Sequence, residues 1–187
     1  MAVDEEAVAV VDALEGLGID YALTGSFASN FHGVPRATRY MDLVVSWRPG
    51  DLEALTARLG SGFFLDPQAS FETVTGSTRH LLRSRRSPFT VELFSLRADD
   101  AHDRVRFDRR LRVEALGRRL WVMSAEDVVV TKLRWASAPG RQKDLSDAQG
   151  ILALNAGALD LDYVRTWCAR HATTEVLDSL LAALGPG

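Results

Sequence analysis

A Gly-Ser pair followed by an aspartate on the next predicted strand is the most informative spacing in this sequence, because it is typical of a phosphate-binding turn. Gly25 and Ser26 follow the short apolar segment YALTG and open a predicted helix, SFASNFHG. A helix N-terminus presents unpaired N–H groups and a partial positive charge, so a phosphate can lie against it if no side chain blocks the approach. We therefore expect an anion site facing Asp42. The alternative is that Gly25 only permits the turn and Ser26 only caps the helix.

Basic side chains concentrate in two stretches in the middle of the chain. These are Arg79, His80, Arg83, Arg85 and Arg86, then Arg104, Arg106, Arg109, Arg110, Arg112, Arg118 and Arg119. On strands that share a face they would form a positive groove suited to RNA phosphates. The alternative is a solvated hairpin surface, because acidic residues such as Asp108 and Glu114 are interleaved with them.

The composition is that of an ordinary globular protein, with 187 residues, 47% hydrophobic side chains and a net charge of -3. This length supports one well-buried core, and the net charge is not the basic surplus usual in nucleic-acid-binding proteins. A single cysteine, Cys168, cannot form an internal disulfide. The acidic N-terminus does not resemble a secretory signal, and no apolar run approaches the roughly 18 residues that span a bilayer. We expect a cytoplasmic protein that does not bind membranes.

The predicted secondary structure differs between the beginning, the middle and the end of the chain. Residues 4–60 predict helix, strand, helix, strand, helix, with Asp4 as the first cap. Short β-rich segments follow, and from Ser124 the pattern is helical. The expected fold is α+β with an α/β-type core, a mixed β-sheet flanked by helices and a helical C-terminal region. We expect a core over 1–123 and a helical extension over 124–187 packed on it as a single structural unit.

The segment LTGSFASNFHGVPRATRYMDLVV resembles the signature of the nucleotidyltransferase (DNA polymerase beta-like) superfamily. That signature is a Gly-Ser pair, a short intervening segment and two carboxylates that alternate along a strand. The segment looks most like the minimal-nucleotidyltransferase and AbiEii-toxin-like branches, which often read Gly-Val-Pro-Arg-Ala-Thr before Asp-hydrophobic-Asp. The resemblance is good over residues 19–46 and weaker beyond. It implies the nucleotidyltransferase fold and a nucleotide site that includes Gly25, Ser26, Arg36 and Thr38.

The resemblance also implies a carboxylate site for Mg²⁺, with one departure. Asp42 matches the second carboxylate of the signature, and Glu92, in FTVELFSL, takes the place of the third carboxylate, on a neighbouring strand. Tyr40 stands where the first carboxylate is expected. A phenol has a pKa near 10 and is neutral at pH 7, so Tyr40 weakens any metal site here. The alternative for Glu92 is a solvent-facing residue on an edge strand.

A third block, VVVTKLRWASAPGRQKDLSDAQGIL, resembles a Lys-Leu-Arg to Arg-x-Lys-Asp-x-x-Asp region of several of these families. By that resemblance Lys132, Arg141 and Lys143 are candidates for neutralising a triphosphate. The alternative places Lys132 on a helix surface, with Asp144 and Asp147 capping the next helix. For His32, Trp135, Trp167 and Cys168 we expect packing or local hydrogen bonding.

Three functions follow. The first is a nucleotidyltransferase-like protein that transfers a nucleoside monophosphate from an NTP to a hydroxyl with Mg²⁺, where the resemblance implies Asp42 and Glu92 as catalytic metal ligands. The acceptor would be RNA such as a tRNA end, a protein or a small molecule. The second is a catalytically impaired protein of this fold that binds nucleotide or a partner protein without turnover. The third is an RNA-binding module that uses the basic strands. A toxin–antitoxin role rests on the resemblance alone.

Overall fold

The computed structural model describes residues 2–185, which fall into two compact units. The first unit comprises the chain up to Phe27 together with Ala37–Val122. The second comprises Ala28–Arg36 and the chain from Met123 onward. Residues 28–36 therefore belong to the second unit although the residues on both sides of them in sequence belong to the first.

The first unit contains a helix-flanked sheet. Its elements are α1 (Ala2–Gly16), β1 (Asp20–Thr24), the start of α2 (Gly25–His32), β2 (Tyr40–Ser46), α3 (Asp51–Leu59), β3 (Phe63–Leu65), β4 (Ser70–Glu72), β5 (Ser77–Ser84), β6 (Thr90–Ser95), α4 (Ala101–Asp108), β7 (Leu111–Ala115) and β8 (Arg118–Val122). The sequence predicts Asp4 as the cap of the first helix, and this is wrong, because α1 begins at Ala2 and Asp4 lies in its first turn. Apolar residues at helical spacing, including Val10 and Leu14, are fully buried on α1.

The strands of the described residues form one mixed sheet in the order β3-β5-β6-β2-β1-β8-β7, with β4 pairing with β5. Strands β1 and β2 pair antiparallel, whereas β2 and β6 pair parallel. The α+β fold with a mixed sheet flanked by helices, predicted from the sequence, is confirmed.

Strand β2 lies between β6 and β1 in the sheet, and its side chains are buried from Met41 to Val45. Successive residues of a strand point to opposite faces. Met41, Leu43 and Val45 therefore share one face, and Tyr40, Asp42 and Val44 share the other. The second face carries Tyr40 and Asp42, which the sequence analysis singled out, and is called the carboxylate face below.

The second unit is helical over its described residues. Its elements are the end of α2, then α5 (Ala125–Ala136), α6 (Gln142–Leu154), α7 (Leu161–Arg170) and α8 (Thr174–Leu184). The segment after α2 lies against α6, because a Cβ added at Gly33 would be 3.0 Å from the Ile151 side chain. Asn155 Nδ2 also donates to the His32 carbonyl at 2.8 Å. Over residues 2–185 no helix is both long and apolar enough to cross a membrane.

Candidate functional site

The Gly25–Ser26 turn lies directly against Asp42. Strand β1 ends at Thr24, whose register partner on β2 is Asp42, and α2 begins at Gly25. The Ser26 amide donates to Asp42 Oδ2 at 3.2 Å, and Asp42 is only 7% exposed. The carboxylate therefore sits at the positive N-terminal end of α2, where the helix dipole attracts it.

Gly25 is required at this turn for two reasons. Its φ is +56°, a left-handed conformation that L side chains rarely adopt. A Cβ at this position would also lie 1.9 Å from Asp42 Oδ2. The missing side chain thus makes room for the aspartate as well as for any ligand that approaches the helix end.

Asp42 and Glu92 occupy the same level of the sheet. They are register partners on the parallel strands β2 and β6, as are Tyr40 and Thr90 two residues earlier on each strand. Parallel neighbours lie about 4.8 Å apart, and partners in register share a face. The two acidic residues therefore project from the carboxylate face side by side.

Glu92 is also ion-paired. Arg79 on β5 donates from Nη1 to Glu92 Oε2 at 3.2 Å and from Nε to Ser70 Oγ at 3.0 Å. Since β6 lies between β2 and β5, Glu92 is not on an edge strand, and that alternative is wrong. The sequence analysis placed Arg79 in a basic stretch but missed its pairing with Glu92. The two residues lie on consecutive predicted strands, and an antiparallel hairpin of these strands would have indicated that they are neighbours.

Tyr40 and Thr38 lie at the entry to β2. The Tyr40 side chain is 48% exposed. Thr38 Oγ1 accepts from the Tyr40 amide and donates to the Tyr40 carbonyl, each at 3.1 Å. The Thr38 hydroxyl therefore stabilises the turn that leads into the strand.

The remaining predicted nucleotide-binding residues belong to the second unit, where most of them are ion-paired. Lys132 is 1% exposed, and its Nζ donates to Asp144 at 2.9 Å and to Asp147 at 2.7 Å. Arg36 binds both oxygens of Asp147 through Nε and Nη2, each at 2.9 Å. Arg141 Nε lies 2.6 Å from Asp144 Oδ2. We call these five residues the ionic cluster.

The ionic cluster overturns the alternative of a surface lysine and capping aspartates. Lys132 is buried, and α6 begins at Gln142 with Arg141 at its N-cap and no side-chain cap. Burial raises the pKa of Asp147, but hydrogen bonds from Arg36 and Lys132 outweigh it and hold that pKa below its ordinary value. The other predicted cation, Lys143, is exposed.

The two basic stretches do not form one groove. Strand β5 is separated from β8 and β7 by β6, β2 and β1. Many of the arginines are also paired with acids. These pairs are Arg79–Glu92, Arg83–Asp66, Arg106–Asp103, Arg110–Asp20, Arg112–Glu15, Arg118–Asp12 and Arg119–Glu114. The sequence predicts a positive groove only if these strands share a face, and their separation in the sheet and their ion pairs give that groove no support.

Four other residues lie in the second unit. Trp167 and Cys168 are buried in the helical core, as predicted, and burial raises the pKa of the Cys168 thiol. His32 Nε2 donates to the Met123 carbonyl at 2.8 Å, which agrees with local hydrogen bonding. Trp135 is only partly buried, with the Arg141 guanidinium 5.2 Å from its ring centroid.

The residues of the carboxylate face do not fit a site that holds two metal ions. Such a site uses several oxygen ligands to grip both ions. Here Glu92 already binds Arg79, and Tyr40 supplies a phenol where an anion is expected. Within the part of the chain that the structure describes, no three His, Cys, Asp or Glu side chains are grouped so that they could hold a metal.

Comparison with known proteins identifies the fold. No family model and no curated protein matches the chain. Among solved structures, ANT(2")-Ia in complex with adenylyl-2"-tobramycin matches with a TM-score of 0.65 and 14% identity, covering 94% of this chain and 99% of that one. An antigenic nucleotidyltransferase-like protein from Paracoccidioides brasiliensis matches with a TM-score of 0.57 and 20% identity, covering 97% and 91%.

A third solved structure is the lincosamide antibiotic adenylyltransferase LnuA with lincomycin bound. It matches with a TM-score of 0.53 and 13% identity, covering 79% of this chain and 96% of that one. Identities this low establish architecture and leave the AbiEii-like branch a prediction. The turn, the paired strands and these three likenesses agree on one architecture, and the protein has the nucleotidyltransferase fold.

Proposed function

We propose that this chain is a nucleotidyltransferase-like protein that binds a nucleoside triphosphate at the Gly25–Ser26 turn without turning it over. The observation that carries the proposal is the turn itself, a strand-to-helix junction packed against Asp42 with Glu92 beside it. A helix N-terminus of this kind attracts phosphate. The solved structures with the same fold include one that contains an adenylyl-tobramycin and one named an adenylyltransferase, which supports a nucleotide as the ligand.

The nucleotide is expected to bind as its Mg²⁺ complex. Phosphate oxygens that approach the turn also approach the Asp42 carboxylate, and the two anions repel each other. A cation carried by the triphosphate removes that repulsion. The Ser26 hydroxyl and the backbone amides that open α2 would then orient the phosphates, while Asp42 holds the turn in place.

Absence of turnover follows from the donor chemistry of the carboxylate face. Tyr40 supplies a phenol in place of a carboxylate, and Glu92 is ion-paired with Arg79. These groups do not provide the anionic ligand set that aligns an attacking hydroxyl and a leaving pyrophosphate on two metals. The fold would then serve binding of a nucleotide or of a partner protein.

The second candidate is transfer of a nucleoside monophosphate to a hydroxyl. The register pairing of Asp42 with Glu92 favours it, because it keeps two of the expected carboxylates side by side. Small-molecule acceptors are supported by the tobramycin and lincomycin named for two of the similar structures. RNA, such as a tRNA end, and protein acceptors rest on the sequence resemblance. So do a toxin–antitoxin role and a triphosphate contact by Arg36, Arg141 or Lys143.

Thermal unfolding with nucleotides tests binding and turnover separately. ATP, GTP, CTP and UTP are titrated with and without Mg²⁺, since a ligand that binds only the native state raises the melting temperature. In parallel, α-labelled nucleotides are incubated with the protein and candidate acceptors. We expect at least one nucleotide to raise the melting temperature only with Mg²⁺, and no label to be transferred.

Two variants sharpen this test. Asp42→Ala is expected to abolish the Mg²⁺-dependent shift, and Tyr40→Asp to strengthen it or to produce transfer of label. Label transfer by the wild type would establish the second candidate instead. If none of the four nucleotides changes the melting temperature of the wild type or of Asp42→Ala, the proposal of a nucleotide site at this turn is wrong.

A further inference from the structure

We propose that Arg79 is an internal counter-cation for the carboxylate face and prevents the nucleotide-free protein from holding a divalent cation at Asp42 and Glu92. In the nucleotide-free protein the Arg79 guanidinium would neutralise the face, and a divalent cation would bind there only as part of a metal–nucleotide complex. This inference concerns the site of the proposed function, but the test below contains no nucleotide.

Arg79 is held in place from two sides. Its register partner on β6 is Phe94, and Glu92 pairs with Leu81, so the guanidinium reaches Glu92 along the diagonal between the strands. The same side chain binds Ser70 on β4 at 3.0 Å. Contacts from both flanking strands fix the direction of the guanidinium toward the carboxylate face.

The charges of the face explain what this contact does. Asp42 and Glu92 lie opposite each other in register, and like charges in that arrangement destabilise a sheet. Either a metal ion or a nearby cationic side chain can relieve the repulsion. Arg79 supplies the positive charge at 3.2 Å from Glu92, so a divalent cation would have to displace it first.

Tyr40 completes the arrangement. With a carboxylate at that position, a third acid would join Asp42 and Glu92, and a cation would still be attracted. With the phenol of Tyr40, only these two acids lie in register beside each other, and Arg79 already binds one of them. The substitution at position 40 and the arginine at position 79 therefore act in the same direction.

Arg83 provides a matched control. It lies four residues farther along β5, opposite Thr90, and so shares the face of Arg79. Its partner is Asp66, at 3.2 Å, rather than Glu92. Removing Arg83 takes one positive charge from the same strand without freeing a carboxylate of the site.

The experiment is a calorimetric titration of Mn²⁺ alone into wild-type protein, Arg79→Gln, Arg83→Gln and the double variant Arg79→Gln/Glu92→Gln. Far-UV circular dichroism establishes that each variant is folded. We expect Arg79→Gln to bind Mn²⁺ at least about tenfold more tightly than the wild type, because it frees an oxygen ligand and removes a competing charge. Arg83→Gln and the double variant should match the wild type.

Each other outcome counts against the proposal. Equal Mn²⁺ affinity in wild type and Arg79→Gln would show that the arginine does not compete with a metal. An equal gain in Mn²⁺ affinity in Arg83→Gln would mean that loss of any positive charge from β5 has the same effect, and that the contact between Arg79 and Glu92 is not the cause. Tight Mn²⁺ binding by the wild type overturns the proposal by itself, even if Arg79→Gln does not fold. Failure of nucleotides to bind would leave all these titrations unaffected, so the two proposals fail separately.

Discussion

The carboxylate face of the first unit and the ionic cluster of the second both combine acids with bases, but they differ in burial and in pairing. On the carboxylate face Arg79 pairs with Glu92, which lies in register with Asp42, and both Arg79 and Glu92 remain partly exposed. In the ionic cluster three cations serve two aspartates, and Lys132 is almost completely buried.

This difference separates a site that can change partners from one that cannot. Removal of one member from a buried ion pair leaves an uncompensated charge in a medium of low dielectric constant. A partly exposed pair costs much less to open, because water replaces the lost partner. The contacts of the buried Lys132 therefore favour a structural role for it, whereas the partly exposed pair of Arg79 and Glu92 costs less to open.

The largest expected effect comes from the ionic cluster. Lys132→Met should lower the free energy of unfolding by about 3–5 kcal/mol, because Asp144 and Asp147 lose the ammonium group that both of them bind. Urea denaturation followed by circular dichroism measures the change.

The control for this variant is Lys143→Met, which removes an exposed lysine near the same aspartates. It should change the free energy of unfolding by no more than about 0.5 kcal/mol. Similar small losses of stability in both variants would mean that the buried contacts of Lys132 do not stabilise the fold. The ionic cluster would then not differ from the carboxylate face in this respect.

A smaller effect is expected at the turn of the carboxylate face. Gly25→Ala introduces a Cβ that would lie 1.9 Å from Asp42 Oδ2, on a backbone with φ of +56°. Backbone strain at such positions costs about 1–3 kcal/mol, and the carboxylate must also move. We expect a loss of stability in that range, read from urea midpoints, together with loss of any Mg²⁺-dependent nucleotide shift.

Gly140→Ala separates the two causes. Gly140 also has a positive φ, of +76°, but nothing lies within 4 Å of the Cβ that alanine would add. Its cost should be that of the backbone alone, about 1–2 kcal/mol. If Gly25→Ala costs no more than Gly140→Ala, and Asp42→Ala does not rescue it, the close approach of Asp42 is not what requires the glycine.

Much of the fold was predictable because local patterns agree with the tertiary structure. The buried run of β2, the glycine that ends β1 and the Ser124 cap of α5 each specify an element from a few neighbouring residues. The start of α1 was misplaced, since a capping residue and an acidic residue in the first turn look alike in sequence.

The pairings of the candidate site were less accessible to sequence reasoning. That Arg79 reaches Glu92 depends on the register of β5 against β6, and that Lys132 is buried depends on how α5 packs on α6. Neither is encoded in a short motif. Lysine is rarely buried without partners, so its two aspartates, twelve and fifteen residues away, were the only local hint.

The smallest expected effect is the response of the ionic cluster to acid. The pKa of Asp147 lies below its ordinary value of 3.8, since the Arg36 and Lys132 hydrogen bonds outweigh burial. The folded state then binds fewer protons than the unfolded state, so this stabilisation is present above pH 3.8 and is lost as pH falls through the folded pKa. Solvent screening of the partly exposed Arg36 keeps the effect small.

Urea midpoints between about pH 6 and about pH 3 measure this response. Asp147→Asn should lose less stability over that interval than the wild type, because its amide does not titrate. Arg36→Gln should lose an intermediate amount, since the Lys132 contact still lowers the pKa of Asp147. An acid response identical in all three proteins would mean that Asp147 does not gain its stabilisation from these cations, and the ionic cluster would then resemble the exposed pairs of the first unit more than a buried network.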